Sequence, residues 1–125
     1  MFKLQVVGNV CSDPVLEKRK FTNSKTGEEM EASVCNFTVA ANSVVGEKKT
    51  IFVRAHAWAK LAESCHKNLY KGRDIYIEGE VNPPKVYINK NGKPTADIEL
   101  TVTTAEFIGK NIKTAHPMGY EELPY

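Results

Sequence analysis

The chain has 125 residues, 42% of them aliphatic, aromatic or cysteine, and a formal charge of +2. That length fits one domain, since domains cluster at roughly 100–150 residues, and the charge falls short of the strongly basic balance of many duplex binders. No apolar run reaches the roughly 18 residues of a membrane span, and Met1 to Gln5 lacks a signal-peptide layout, so a soluble cytoplasmic protein is expected. The three cysteines, Cys11, Cys35 and Cys65, are odd in number and show no CxxC spacing. They read as small buried hydrophobes in a reducing compartment.

Taken in chain order, Phe2 to Val10 alternates weakly and ends in Gly8-Asn9. The turn signal Ser12-Asp13-Pro14 follows, and Val15 to Phe21 reads as the same strand continuing after a kink. Thr22 to Met30 is polar and predicts an exposed loop or hairpin tip. Glu31 to Asn42 is a long strand rich in Val, Phe and Thr, and Ser43 to Lys49 turns about Gly46. Thr50 to Ala57 then alternates sharply. Ile51, Val53, Ala55 and Ala57 share one apolar face, while Thr50, Phe52, Arg54 and His56 share the other and lead to Trp58.

Trp58 to Tyr70 switches to helical period, with Trp58, Leu61, Ala62, Cys65 and Leu69 on one stripe. Gly72 is expected as its left-handed cap. Asp74 to Val81 returns to period two with Ile75, Ile77 and Val81 inward. A hairpin spans Lys85 to Ile98 around Asn89-Lys90-Asn91-Gly92, and Glu99 to Ile108 is the last strand. A helix between the third and fourth strands of a small barrel is the OB-fold pattern. The expected class is all-β: a five-stranded Greek-key barrel over residues 1–109, with a short C-terminal tail over 110–125.

Single-stranded nucleic acid is held by aromatic faces that stack on bases and by cations that follow phosphates. Outside the core positions the sequence offers Phe52, Trp58, Tyr76 and Tyr87 for stacking. For phosphates it offers Lys48, Lys49, Arg54, Lys60, Arg73, Lys85, Lys90 and Lys93. Composition alone reads Trp58 and Tyr76 equally well as barrel-end packing and the lysines as a solvated surface. The two glutamates Glu121 and Glu122 sit in the tail, which leaves 17 cations against 13 carboxylates, a charge of +4, through Lys113. Catalysis is not expected. His56, His66 and His116 lack metal-ligand spacing, the serines lack nucleophile-elbow glycines, and no cofactor or metal is implied.

Several ordered motifs carry a resemblance. Val7-Gly8-Asn9-Val10 with Asp13-Pro14, then Asn36-Phe37-Thr38-Val39-Ala40, resemble the first two strands of the bacterial and phage single-stranded DNA-binding protein family. Phe52, Arg54 and Trp58 before Lys60-Leu61-Ala62-Glu63 resemble its third strand and helix start. Leu69-Tyr70-Lys71-Gly72 and Ile75-Tyr76-Ile77-Glu78-Gly79 continue the match to about residue 108. The resemblance implies sequence-independent binding and protection of single-stranded DNA during replication, recombination and repair. Phe52 and Trp58 match base-stacking aromatics, Arg54 the basic residue between them, and Tyr87 the hairpin aromatic.

Two departures stand out: Val44 and Val45 replace a family aromatic, and Cys11 stands where Gly is frequent. The resemblance further implies a homotetramer, or at least a dimer. It also implies a partner-binding tip at Glu121-Glu122-Leu123-Pro124-Tyr125 that recruits replication and repair proteins. The alternatives are a primosome-type OB-fold adaptor acting through protein partners and an RNA-binding OB module. An adaptor has no need for Phe52 and Trp58 to be open to solvent.

Overall fold

Alternating β-branched residues build the wall of this molecule, and one short helix closes it. A computed structural model of the chain describes residues 1–42, 45–47 and 49–109. Expectations for Val44, Lys48 and the tail 110–125, including Glu121 to Tyr125, therefore fall outside the described residues. The elements run β1 (Lys3–Val10), β2 (Val15–Thr22), β3 (Glu29–Asn42), β4 (Thr50–Trp58), α1 (Lys60–Asn68), β5 (Asp74–Val81), β6 (Val86–Ile88), β7 (Pro94–Ala96) and β8 (Ile98–Phe107).

The sheet order β1-β5-β8-β4-β3, closed by β1 pairing with β3, makes a five-stranded barrel in which, among the described strands, β4 and β8 alone run parallel. This is the OB-fold. β1 and β2 both lie antiparallel along β3, and between Val10↔Val39 and Val15↔Asn36 one side advances five residues against three on the other. The two surplus residues fall in the stretch around Asp13-Pro14, where proline cannot donate to a ladder. Past that kink, β2 and the first half of β3 leave the barrel as an exposed arm. The arm's turn is shorter than expected: Glu29 and Met30 are already paired with Thr22 and Phe21.

The core is the inner alternate set. Val10, Val39, Ala55, Ala57, Ile75, Ile77 and Leu100 are fully buried, and Ala62, Cys65 and Leu69 press the helix onto them. Ile51 departs from the expected inward set: it is 47% exposed because β4 enters at the barrel rim, where none of the described residues covers it. Burial, and then the neighbouring Cys35, push the Cys65 thiol up to about 12, so it packs as a neutral hydrophobe. Gly8 and Gly79 sit at two close backbone approaches, where an added Cβ would collide with the Ala40 and Thr101 carbonyls respectively.

The helix begins and ends differently from its sequence pattern. Trp58 belongs to β4, and Ala59 turns the corner at φ 58° and ψ −127°. Its N–H donates to the Ser33 carbonyl (2.8 Å), and its own carbonyl accepts from Ala62 (3.1 Å) and Glu63 (3.3 Å). At the other end, extended Leu69 terminates the helix. Gly72 is not its cap. It has φ 101° in the following turn and donates its N–H to the Val10 carbonyl at 2.7 Å, tying the turn to β1. No described helix is long and apolar enough to cross a membrane.

Candidate nucleic-acid interface

The outer face of β4 carries what its alternation promised. Phe52 is 57% exposed and Trp58 38% exposed, with Arg54 open and His56 half-buried between them. At roughly 3.3 Å per residue, the two rings stand about 20 Å apart along one strand. Register then decides which neighbours join them. On one side Ala40, Thr38, Asn36 and Val34 of β3 stand opposite Phe52, Arg54, His56 and Trp58. On the other, parallel pairing sets Glu99 beside Arg54 and Thr101 beside His56.

Charges on this face are locally matched. Arg54 Nε lies 3.3 Å from Asp97 Oδ2, and His56 Nε2 lies 3.8 Å from Glu99 Oε1. The His56 Nδ1 edge is hydrogen-bonded to Asn36 Oδ1 at 2.7 Å. Tyr87 reaches the same face from the β6–β7 hairpin. Its hydroxyl donates to Asp97, and that hydrogen bond is the leading reason its phenol titrates above the ordinary range. Asp97 thereby links the hairpin aromatic to Arg54. Val86 and Ile88, its neighbours in β6, point away and are 73% and 72% exposed.

Two hollows flank Arg54 and His56. One, about 190 Å³, lies between Asp13, Val15, Thr38 and Arg54. The other, about 350 Å³, is a polar cleft at the foot of Trp58, with Arg19 and Lys85 at its margin. In it Thr101 Oγ1 donates to Asn82 Oδ1 at 2.9 Å. The sequence placed His56 on this face but gave no signal for Asn36, Asn82, Asp97, Glu99 and Thr101. They come from segments up to 65 residues from Asn36 and meet only when the barrel closes.

Other expected residues do not join the set. Arg73 is a correction: it is 6% exposed, and its guanidinium donates to the carbonyls of Asn68 (2.5 Å), Gly109 (2.8 Å) and Ile108 (3.3 Å). Tyr70 and Phe107 lie against the same group, their ring centres 5.8 and 5.4 Å away. Tyr76 lies on β5, separated from β4 by β8, and its hydroxyl donates to Glu78 at 2.9 Å. That bond is the first cause of its raised phenol pKa. Lys49 is exposed at the entrance to β4, 3.7 Å from Glu47. Lys60 stands exposed at the helix start, and Lys90 and Lys93 are exposed around the hairpin turn. Among the described residues no group of three or more His, Cys, Asp or Glu side chains is arranged to hold a metal ion.

Comparison with known proteins gives this face its context. The model of the single-strand binding protein family matches residues 1–108. "Single-stranded DNA-binding protein 1" of Chlorobaculum tepidum is 30% identical over 113 residues, covering 86% of this chain and 64% of that protein. A single-stranded DNA-binding protein of Paenarthrobacter aurescens is 30% identical over 121 residues, covering 90% of this chain and 63% of the relative. Another, from Caldanaerobacter subterraneus subsp. tengcongensis, is 34% identical over 83 residues, covering 63% of this chain and 49% of that protein. The chain thus spans less than two thirds of the length of these three relatives. With an OB barrel and the matched stretch 1–108, the chain belongs to the single-strand binding protein family.

Proposed function

We propose that the chain binds single-stranded DNA along the outer face of β4, stacking bases on Phe52, Trp58 and Tyr87 and steering phosphates with Arg54, Lys85 and Lys49. It acts by occupancy: covering exposed strands keeps them from re-annealing and from nucleases during replication, recombination and repair. The observation that carries this reading is the openness of Phe52 and Trp58 on one strand with Arg54 between them. Large apolar rings left in water on a barrel wall gain by stacking on bases, about 1–3 kcal/mol per base.

The single tryptophan provides the test. Titration with oligo-dT at low salt quenches Trp58 emission, and Phe52→Ala weakens binding by about 1–3 kcal/mol while the barrel stays folded. Unchanged emission at saturating oligo-dT, with no complex formed, would remove the function. Running oligo-U alongside separates DNA from RNA preference.

We also infer a homo-oligomer, a tetramer or at least a dimer. β1 pairs with β5 over Lys3 to Asn9 but with β3 only at Asn9 and Val10, so much of one edge is uncovered among the described residues. Val7, Ile51 and Ile98 are exposed and share an apolar hollow of about 290 Å³ beside that edge. A monomer mass by light scattering at micromolar concentration would refute this.

A further inference from the structure

The arm that leaves the barrel past Asp13-Pro14 has two unlike faces. Residues opposite each other in an antiparallel pair share a face, so the register of β2 and β3 sorts their side chains. Beyond Glu17, one face carries Arg19 and Phe21 opposite Ala32 and Met30. The other, with Leu16 at its root, carries Lys18, Lys20 and Thr22 opposite Ser33, Glu31 and Glu29. The first face ends in an apolar rung: Phe21 and Met30, paired with each other, are each 44% exposed.

The same register runs on into β4. Val34 stands opposite Glu17 on one side and opposite Trp58 on the other. The apolar face of the arm is therefore the outer face of β4 carried past Trp58. From the Trp58 rung to the Phe21 rung is four residues along β3, about 13 Å at strand spacing. Charge and area decide what such a tip can hold. Arg19 lies 3.4 Å from Glu17 and Lys18 3.8 Å from Glu31, and over residues 15–31 four cations meet four carboxylates. The arm thus has no net charge with which to draw in a phosphate backbone. A stable protein interface buries roughly 1,200–2,000 Å², far more than one rung of two half-exposed side chains offers. A strand already held on β4 needs only to lay its next base there, because its attachment keeps the local concentration high.

Resting on the single-strand-binding reading, we propose that the arm extends the stacking track: the strand that crosses Trp58 continues along this face, and a further base stacks on Phe21 beside Met30. The ligand is the same single-stranded DNA, of any sequence, and the contact is made by the base face and not by the phosphate. The subsite is engaged only by a strand long enough to reach the tip from β4.

Oligo-dT of increasing length, from about 4 to 16 nucleotides, the span that OB folds occupy, is the probe. The full chain and its Phe21→Ala variant are titrated with each length at fixed salt, read by Trp58 quenching and by a separate mobility measurement. The shortest oligomers should bind both proteins equally. At the longest, Phe21→Ala should bind roughly 5- to 10-fold more weakly, the low end for one base on one ring, with an unchanged salt slope and urea midpoint. Phe21→Tyr, which keeps the ring, should retain the wild-type length dependence.

Equal affinities of wild type and Phe21→Ala at every length overturn the subsite and leave strand binding standing. A loss of the same size at every length, the shortest included, also overturns it, because the tip then acts on the whole protein and not on the far end of the strand. A fall in mass by light scattering in Phe21→Ala assigns the tip to a second copy of the chain and overturns it as well. Failure of the wild type to bind any oligomer by either readout removes the parent function together with the subsite.

Discussion

Arg73 separates a structural cation from a nucleic-acid contact, and its replacement by alanine gives a quantitative test. A hydrogen bond from a charged donor contributes about 1.5–3 kcal/mol, and this guanidinium makes three, to Asn68, Ile108 and Gly109. The three share one desolvation and do not add. The rings of Tyr70 and Phe107 also lose their packing partner. A loss of about 3–4 kcal/mol is therefore expected, large against the roughly 5–15 kcal/mol that holds a domain together. At about 3–6 °C per kcal/mol, between the values for 60–100 and 150–250 residues, the melting temperature should fall by roughly 10–25 °C.

Urea unfolding followed by far-ultraviolet circular dichroism measures the first quantity. A salt titration of oligo-dT binding, run well below the lowered midpoint, measures whether a phosphate contact has gone. Arg73→Ala should keep the wild-type salt slope. Arg73→Lys, which keeps the charge but loses the planar fork, should recover only part of the stability. The reasoning is refuted if Arg73→Ala unfolds at the wild-type midpoint while its slope of log K against log salt shrinks by about 0.7, the signature of one lost phosphate on a single strand.

Two further outcomes follow from local geometry. Ala59 holds φ 58° where a side chain is strained, so Ala59→Gly should raise stability by about 1 kcal/mol; an unchanged or lower urea midpoint would show the corner to be unstrained. Asp97 holds the Tyr87 phenol above its ordinary range through their hydrogen bond, so its ionisation, followed by ultraviolet difference absorbance, should move back toward about pH 10 in Asp97→Asn. Because the folded value is raised, this contribution is fully present below about pH 10 and is lost as pH climbs from there through the higher folded value.

Much of the fold was legible because barrel walls impose period two. Val53, Ala55 and Ala57 inward against Phe52, Arg54 and His56 outward needed no tertiary information, and Ile75 and Ile77 followed the same rule. Tertiary closure decided the rest. Ile51 reads as core by alternation, yet it sits at a rim where the wall ends. Gly72 follows a helical pattern at cap spacing, but the carbonyl that accepts its N–H belongs to Val10, far upstream. Arg73 looks like any surface cation beside a glycine. Its burial depends on carbonyls at Ile108 and Gly109, which arrive only when β8 completes the barrel. Of the cleft, Trp58, His56 and Lys85 were visible, while Glu99 and Thr101 were not, because they are brought there by parallel pairing between β4 and β8 that no local motif encodes.

That parallel register has an energetic consequence for the whole face. It sets Glu99 opposite Arg54, with its carboxylate 3.8 Å from His56 Nε2, while Asp97 holds Arg54 by an ion pair. The nearby cations Lys49 and Arg19 each have a carboxylate as well, Glu47 and Glu17. A phosphate that approaches Arg54 must compete with Asp97, so each contact releases less net charge than a free cation would provide. Exposed aromatics meet no such competitor. Affinity on this surface should therefore come chiefly from stacking, and the slope of log K against log salt for oligo-dT should be shallow, equivalent to about two or three phosphates at roughly 0.7 each. Asp97→Asn should steepen it by releasing Arg54. A wild-type slope equivalent to six or more phosphates would mean that the cations dominate, and that the pairs with Asp97, Glu47 and Glu17 open as soon as the strand arrives.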